Sequence, residues 1–118
     1  PYMYPDIVVL CGPGEYAPND RLTLLNPRVV VEVMSESTRS YDQGTKLRNS
    51  KRMASVQEIV LVESTEAAVE RYTRQDDGTW QNATSEGLAA ELVFTAVAAR
   101  VPLRDLYDGV AFPEVGPP

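Results

Sequence analysis

The segment RVVVEVM, residues 28 to 34, places one glutamate inside an otherwise apolar run. A series of β-branched residues favours extended backbone, so this run predicts a strand. Side chains alternate along a strand, so Val30, Glu32 and Met34 share one face and the remaining valines share the other, which we interpret as core. A carboxylate between Val30 and Met34 is too enclosed by apolar neighbours to be simply solvated. The fold must therefore provide Glu32 with a cation.

The chain has no histidine and a single cysteine, Cys11, which excludes several kinds of site. One cysteine rules out an internal disulfide, and the lack of imidazole excludes Cys/His zinc sites and histidine-based catalysis. Any catalysis must use carboxylates, lysine, arginine, tyrosine or hydroxyls, either alone or together with a hard ion such as magnesium, which prefers oxygen ligands. This cysteine usage favours a reducing, cytoplasmic setting.

The length of 118 residues indicates one domain covering residues 1 to 118. The hydrophobic content of 43% is that of an ordinary globular protein. No apolar run approaches the roughly eighteen residues of a membrane-spanning helix. The chain begins at Pro1 and enters a strand almost at once, so we expect a domain that is truncated at its N-terminus.

Charge is concentrated in one segment of an acidic chain. Residues 39 to 52 carry +4 and the rest of the chain carries −10, which together give the net charge of −6. The five bases of this segment are Arg39, Lys46, Arg48, Lys51 and Arg52, against one acid, Asp42. Such a segment is either a surface that binds a polyanion such as DNA or simply the solvated face of a helix.

The hydrophobic pattern predicts an α+β (α/β-like) domain with a mostly antiparallel sheet and at least one flanking helix. A helix is expected over residues 41 to 53, lying over an edge of the sheet, and a loop over residues 13 to 27. The expected strands cover residues 6 to 12, 28 to 34, 56 to 64, 67 to 74 and 79 to 84, with QDDG as a hairpin turn, then short strands near Val93 and over Val97 to Val101, and a helical turn at Leu103 to Tyr107.

A second carboxylate, Asp6, opens the first predicted strand, on the same face as Val8 and Leu10. If this strand pairs with the strand that carries Glu32, the two acids meet at one edge of the sheet. Two neighbouring carboxylates repel each other unless a cation lies between them. A divalent metal ion is the natural candidate.

Several segments resemble a known family of nucleases. YPDIVV, followed about twenty-five residues later by a glutamate in an apolar strand, resembles the PD-(D/E)xK nuclease superfamily, although its Glu-x-Lys motif reads Glu32-Val33-Met34 here. The segments NPRVVVEVMSESTRSYDQGTK, SVQEIVLVES and VPLRDLYDGVAF closely resemble the Uma-two family, a restriction-endonuclease-like branch of that superfamily. The resemblance runs from Tyr4 to about Phe112.

The resemblance implies a restriction-endonuclease-like core, a central mixed β-sheet flanked by helices. It also implies a metal-dependent endonuclease that hydrolyses DNA phosphodiester bonds and is expected to form a homodimer. Asp6, Glu32 and the Val33 carbonyl would hold Mg²⁺ or Mn²⁺. In this family the catalytic lysine is thought to lie on the helix after the strand, in an Asp-x-x-x-Lys pattern that matches Asp42 and Lys46. The other bases, Arg39, Arg48, Lys51 and Arg52, would contact DNA.

Two alternatives to this interpretation stay open. Glu32 would form a purely structural ion pair with Lys46 or Arg39. In the second alternative, the domain is a non-catalytic or degenerate nuclease fold that binds DNA or forms a homodimer. The departures from the family pattern are Ser50, where a tyrosine is usual, and Ile59, where an aromatic residue is usual. Glu58 is expected to pair with a base on the helix.

Overall fold

The computed structural model describes residues 7–10, 12–18, 20–24, 26–34 and 41–112. In chain order the elements are β1 (Ile7–Val9), β2 (Tyr16–Ala17), β3 (Asp20–Leu24), β4 (Val29–Met34), α1 (Tyr41–Arg52), β5 (Glu58–Glu63), β6 (Ala68–Arg74), β7 (Trp80–Glu86), β8 (Glu91–Phe94), β9 (Ala99–Pro102) and α2 (Leu103–Leu106).

Five strands form one mixed sheet in the order β1-β4-β5-β6-β7. β4 and β5 are parallel, because α1 provides the crossover between them, and the other neighbours are antiparallel. The pairs β2–β3 and β8–β9 form two further small sheets. The predicted central mixed sheet with flanking helices is therefore confirmed, and the QDDG segment, residues 75 to 78, joins β6 to β7 as expected.

Both sides of the sheet are covered at its central strands, β4 and β5. One side, which we call the hairpin face, packs against β8, β9 and α2, and its buried residues are Val29, Val31, Val60, Val62, Val69, Leu92, Leu103 and Tyr107. The other side, the helix face, packs against Leu47 of α1 and Met53 just after it, and its buried residues are Val30, Met34, Val56, Ile59 and Leu61. Strands joined by a helical crossover are buried on both faces in this way.

Two expectations from the sequence are wrong. Helix α1 packs against the helix face of β4 and β5 and not over a sheet edge, because Leu47 and Met53 contact the apolar residues of those strands. Residues 13 to 27 are not a continuous loop, since they contain the β2–β3 hairpin. The prolines and turn formers of that stretch concealed the alternating pattern of DRLTL.

Tyr107 ties the end of the domain to the central sheet. Its hydroxyl lies 2.6 Å from the Glu63 carbonyl and 2.9 Å from the Ala68 carbonyl, and it accepts a hydrogen bond of 3.3 Å from the Ala68 amide. Its ring contacts Phe112 at a centroid distance of 5.2 Å. The segment after α2 is thus fixed against the β5–β6 connection.

Candidate active site

Glu32 lies within β4 on the helix face and is 1% exposed. Its strand neighbours on that face, Val30 and Met34, are also buried, and its register partner on β5 is Leu61. The alternation expected from the sequence is therefore correct, but both faces of β4 belong to the core. A carboxylate in such surroundings is strongly desolvated and needs compensating charge or hydrogen bonds.

Lys46 supplies an ammonium to Glu32 from the helix. Its Nζ donates a hydrogen bond of 3.2 Å to Glu32 Oε2. The Lys46 side chain is 35% exposed and that of Glu32 is 2% exposed, so the ion pair joins a buried carboxylate to a side chain that is partly open to solvent. Met34, at the usual lysine position of the Glu-x-Lys motif, is 3% exposed and packs in the core. The structure thus brings together Glu32 and Lys46, which are fourteen residues apart.

Other predicted site residues are not described. Asp6 and Arg39 lie outside the described residues, and so does the side chain of Asp42, although its backbone lies in the first turn of α1. The proposed ligand on Val33 is its carbonyl, and its side chain lies on the hairpin face and is 50% exposed. Their roles stay predictions.

The basic residues of α1 point in different directions. Arg48 and Arg52 are exposed, and with Gly44 they lie along one row of the helix at spacings of four residues. Lys51 instead turns toward the sheet, where its Nζ lies 4.7 Å from the centre of the Tyr72 ring and 5.9 Å from that of Trp80. A cation over aromatic rings contributes to packing α1 on the sheet.

Glu58 does not pair with a base on the helix, contrary to expectation. It lies opposite Val29, on the hairpin face, and is fully buried. Its Oε1 accepts hydrogen bonds from the amides of Thr95, at 2.7 Å, and Ala96, and its Oε2 lies 4.0 Å from Arg71 Nε. Glu58 therefore anchors the β8–β9 turn on the side of the sheet away from α1.

Arg74 is a residue of this region that sequence reasoning missed. Its Nε donates to the Val56 carbonyl at 2.9 Å, and its Nη2 donates to the Lys51 and Met53 carbonyls, each at 3.1 Å. Its guanidinium carbon lies 4.4 Å from the centre of the Trp80 ring. These partners are six to twenty-three residues away, so no local pattern reveals the contact.

Tyr72 belongs to a polar network on the helix face. Its hydroxyl donates to Glu70 Oε1, which also accepts a hydrogen bond of 3.0 Å from Asn82. Burial raises the pKa of Tyr72 from 10.0 to about 12, with further contributions from the hydrogen bond to Glu70 and from the charge of Glu70. The hydroxyl is therefore protonated throughout the physiological range.

This shift predicts a late phenolate phase in an alkaline titration. Because the folded-state pKa lies above the unfolded value, the stabilisation from Tyr72 is fully present below pH 10.0 and is lost as the pH rises through about 12. We expect ultraviolet absorbance to show a phenolate phase near pH 12 whose amplitude is lower in Tyr72→Phe. A variant that keeps the same late phase would contradict the assignment.

The ligands predicted around Glu32 are oxygen atoms, which are the chemical type that binds a hard metal ion. Carboxylate and carbonyl oxygens are the ligands that magnesium and manganese prefer. Within the described ranges no group of three or more His, Cys, Asp or Glu residues is placed to hold a metal. Asp6, which lies outside those ranges, is the further carboxylate ligand predicted from the sequence.

Neither α1 nor α2, the helices in the described part of the chain, is long and apolar enough to cross a membrane.

The fold is similar to that of a crystal structure of a putative nuclease belonging to DUF820 from Anabaena variabilis. The TM-score is 0.60 at 15% sequence identity, over 80% of this chain and 54% of that chain. At this identity the likeness shows the fold alone. It supports the restriction-endonuclease-like architecture described above.

Two uncharacterized proteins of Synechocystis sp. are similar in sequence. One is 33% identical over 114 residues, which cover 94% of this chain and 57% of that protein. The other is 28% identical over 94 residues, which cover 80% of this chain and 53% of that protein. This chain therefore spans about half the length of these relatives.

A family model also matches most of the chain. The Uma2 model, whose description is "Putative restriction endonuclease", matches residues 1–101. This match covers the β4 strand with Glu32, the α1 helix with Lys46 and the sheet that positions both. The chain belongs to the Uma2 (Uma-two) family.

Proposed function

We propose that this chain forms the catalytic core of a metal-dependent endonuclease that hydrolyses DNA phosphodiester bonds. The observation that carries the proposal is the 3.2 Å contact between the Lys46 ammonium and the buried Glu32 carboxylate. It places a lysine from the helix beside the strand glutamate, while Met34 occupies the lysine position of the strand motif. Family membership supports the same class of reaction.

Glu32, Asp6 and the Val33 carbonyl would hold Mg²⁺ or Mn²⁺. The pairs Ile7–Val31 and Val8–Val30 support this, because one further step of that antiparallel register would set Asp6 opposite Glu32. Opposite residues share a face, so both carboxylates would lie on the helix face. When bound, the ion would supply Lewis-acid chemistry, polarising the phosphate and lowering the pKa of the attacking water.

Lys46 would stabilise the charge that develops on the phosphate. Its side chain is about a third exposed, so in this proposal a phosphate oxygen or a water approaches it from the solvent side while Glu32 holds it in place. A preorganised donor of this kind needs little rearrangement during the reaction. Met34 is buried in the apolar cluster of the helix face, so the strand side of the site is apolar.

Arg48 and Arg52 would bind the DNA backbone. Both are exposed on α1 outside the Glu32 site, where phosphates can reach them. Arg39 would contribute from outside the described residues. Lys51 would contribute less than predicted, because it stacks over the Tyr72 and Trp80 rings.

The second candidate is a non-catalytic nuclease fold that binds DNA or dimerises. The same observation supports it, since a Glu32–Lys46 ion pair also serves as a purely structural contact. Ser50, buried at the position of the usual family tyrosine, favours this reading as well.

Plasmid nicking separates the two candidates. We expect the protein to cut plasmid DNA with Mg²⁺ or Mn²⁺ and to stop when the metal is chelated. Salt-sensitive DNA binding without cleavage at any metal concentration would favour the second candidate. If the protein shows neither DNA binding nor DNA cleavage, both candidate functions are wrong.

A further inference from the structure

Helix α1 has little apolar surface with which to hold its position. Apart from Tyr41 and Leu47, its residues are polar, charged or glycine. Leu47 and the following Met53 pack against the helix face, which is a small apolar contact for a twelve-residue helix. The apolar contact therefore holds α1 on the sheet, but it determines the position of the helix along its own axis only weakly.

Arg74 provides an axial anchor at the C-terminal end of α1. Its guanidinium binds the carbonyls of Lys51 and Met53 at the end of the helix, and that of Val56 in the connection to β5. A cation is favourable at this end, where unpaired carbonyls carry the negative end of the helix dipole. The planar guanidinium also stacks on Trp80, so its orientation is fixed from the sheet side.

We infer that Arg74 is a positioning residue that sets the place of Lys46 beside Glu32. Lys46 precedes Lys51 by five residues, which is about 7.5 Å along a helix. A helix segment of this length moves as one body. If the helix end shifts along its axis at Arg74, Lys46 therefore shifts with it. The Lys46–Glu32 distance is 3.2 Å, and a shift of about 1 Å is enough to break that hydrogen bond.

The consequence for catalysis rests on the proposed function, but the positioning itself does not. If Lys46 acts on the phosphate, Arg74 raises the rate without touching DNA or metal. The positioning of Lys46 by Arg74 involves only side chains of this chain, so it can be measured without a cleavage assay.

Lysine labelling followed by mass spectrometry tests the inference. The chain has two lysines, Lys46 and Lys51, so each is read separately from one digest. We expect Arg74→Met to speed modification of Lys46 by an amine-reactive ester about tenfold, the scale set by losing hydrogen bonds to a charged group. The control, Arg104→Met on the exposed side of α2, should leave the Lys46 rate unchanged.

A double variant separates positioning from a general loss of stability. In Glu32→Gln the Lys46 ammonium has already lost its charged partner, so adding Arg74→Met should change the Lys46 rate little. If Arg74 only stabilised the fold, the two effects would multiply, and that result overturns the inference. Arg74→Lys keeps the positive charge but loses the planar guanidinium with its several donors, so it should give an intermediate Lys46 rate. This variant replaces Arg74→Met in the test if Arg74→Met does not fold.

The outcomes for the inference and for the proposed function are distinct. Faster Lys46 labelling in a protein that never cuts DNA supports the positioning role and removes the nuclease proposal. Unchanged Lys46 labelling in Arg74→Met, with faster labelling of Lys51 alone, overturns the positioning role even if the wild type cuts DNA.

Discussion

Lys46→Ala is expected to lower metal-dependent DNA cleavage by about 100- to 1,000-fold, the usual effect of removing one preorganised donor from a transition state. Metal binding and most DNA affinity should persist, because the substitution removes no metal ligand and leaves Arg48 and Arg52 in place. Single-turnover cleavage rates, measured beside DNA affinity, provide the test.

Lys51→Ala is the matched control, since it removes the other lysine of the same helix. It loses a contact with the Tyr72 and Trp80 rings and should mainly lower stability. Moving the amine back to the strand, as Met34→Lys with Lys46→Ala, should recover part of the cleavage. Undiminished cleavage by Lys46→Ala would refute the catalytic role of this lysine.

Glu32→Ala is expected to abolish stabilisation of the protein by metal ions. If Glu32 is a ligand, Mg²⁺ or Mn²⁺ at a hundredfold excess over Kd should stabilise the wild-type chain by about 2.7 kcal/mol and raise its Tm. The variant should unfold at the same temperature with and without metal. Thermal unfolding at several metal concentrations measures both.

Glu58→Gln is the control for this second experiment, because Glu58 is an equally buried acid on the opposite face of the sheet. It holds the amides of Thr95 and Ala96, so its loss should lower stability at every metal concentration. The metal-dependent rise in Tm should nevertheless remain. If Glu32→Ala keeps that rise, the ion binds elsewhere.

The candidate site combines two requirements that usually conflict. In the proposed reaction Glu32 acts in a low-dielectric setting, yet a buried carboxylate destabilises the fold unless it is compensated. The Lys46 ammonium provides that compensation from the helix and keeps about a third of its side chain in contact with solvent. The same contact thus stabilises the free protein and, in the proposed reaction, holds the lysine ready for the phosphate.

The local pattern of the chain was sufficient to predict most of its elements. Alternation in VVVEVM set Glu32 on the same face as Val30 and Met34, and the structure has that arrangement. The helix expected over residues 41 to 53 is present as Tyr41–Arg52, and the late strands and short helix also lie where the pattern indicated. These features depend on neighbours within a few residues, where side-chain period and backbone preference decide the outcome.

The sequence by itself determined the family, the mixed-sheet class and the pairing of a strand acid with a helix lysine as a hypothesis. Only the tertiary structure decided which face Glu58 occupies, that Lys51 turns inward and that Arg74 holds the end of α1. The β4–β5 register assigns Glu58 to the face opposite Glu32, and the pairing of β6 alongside β5 brings Arg74 to the helix end. Register between distant strands depends on packing across the whole sheet, so it cannot be read from any single segment.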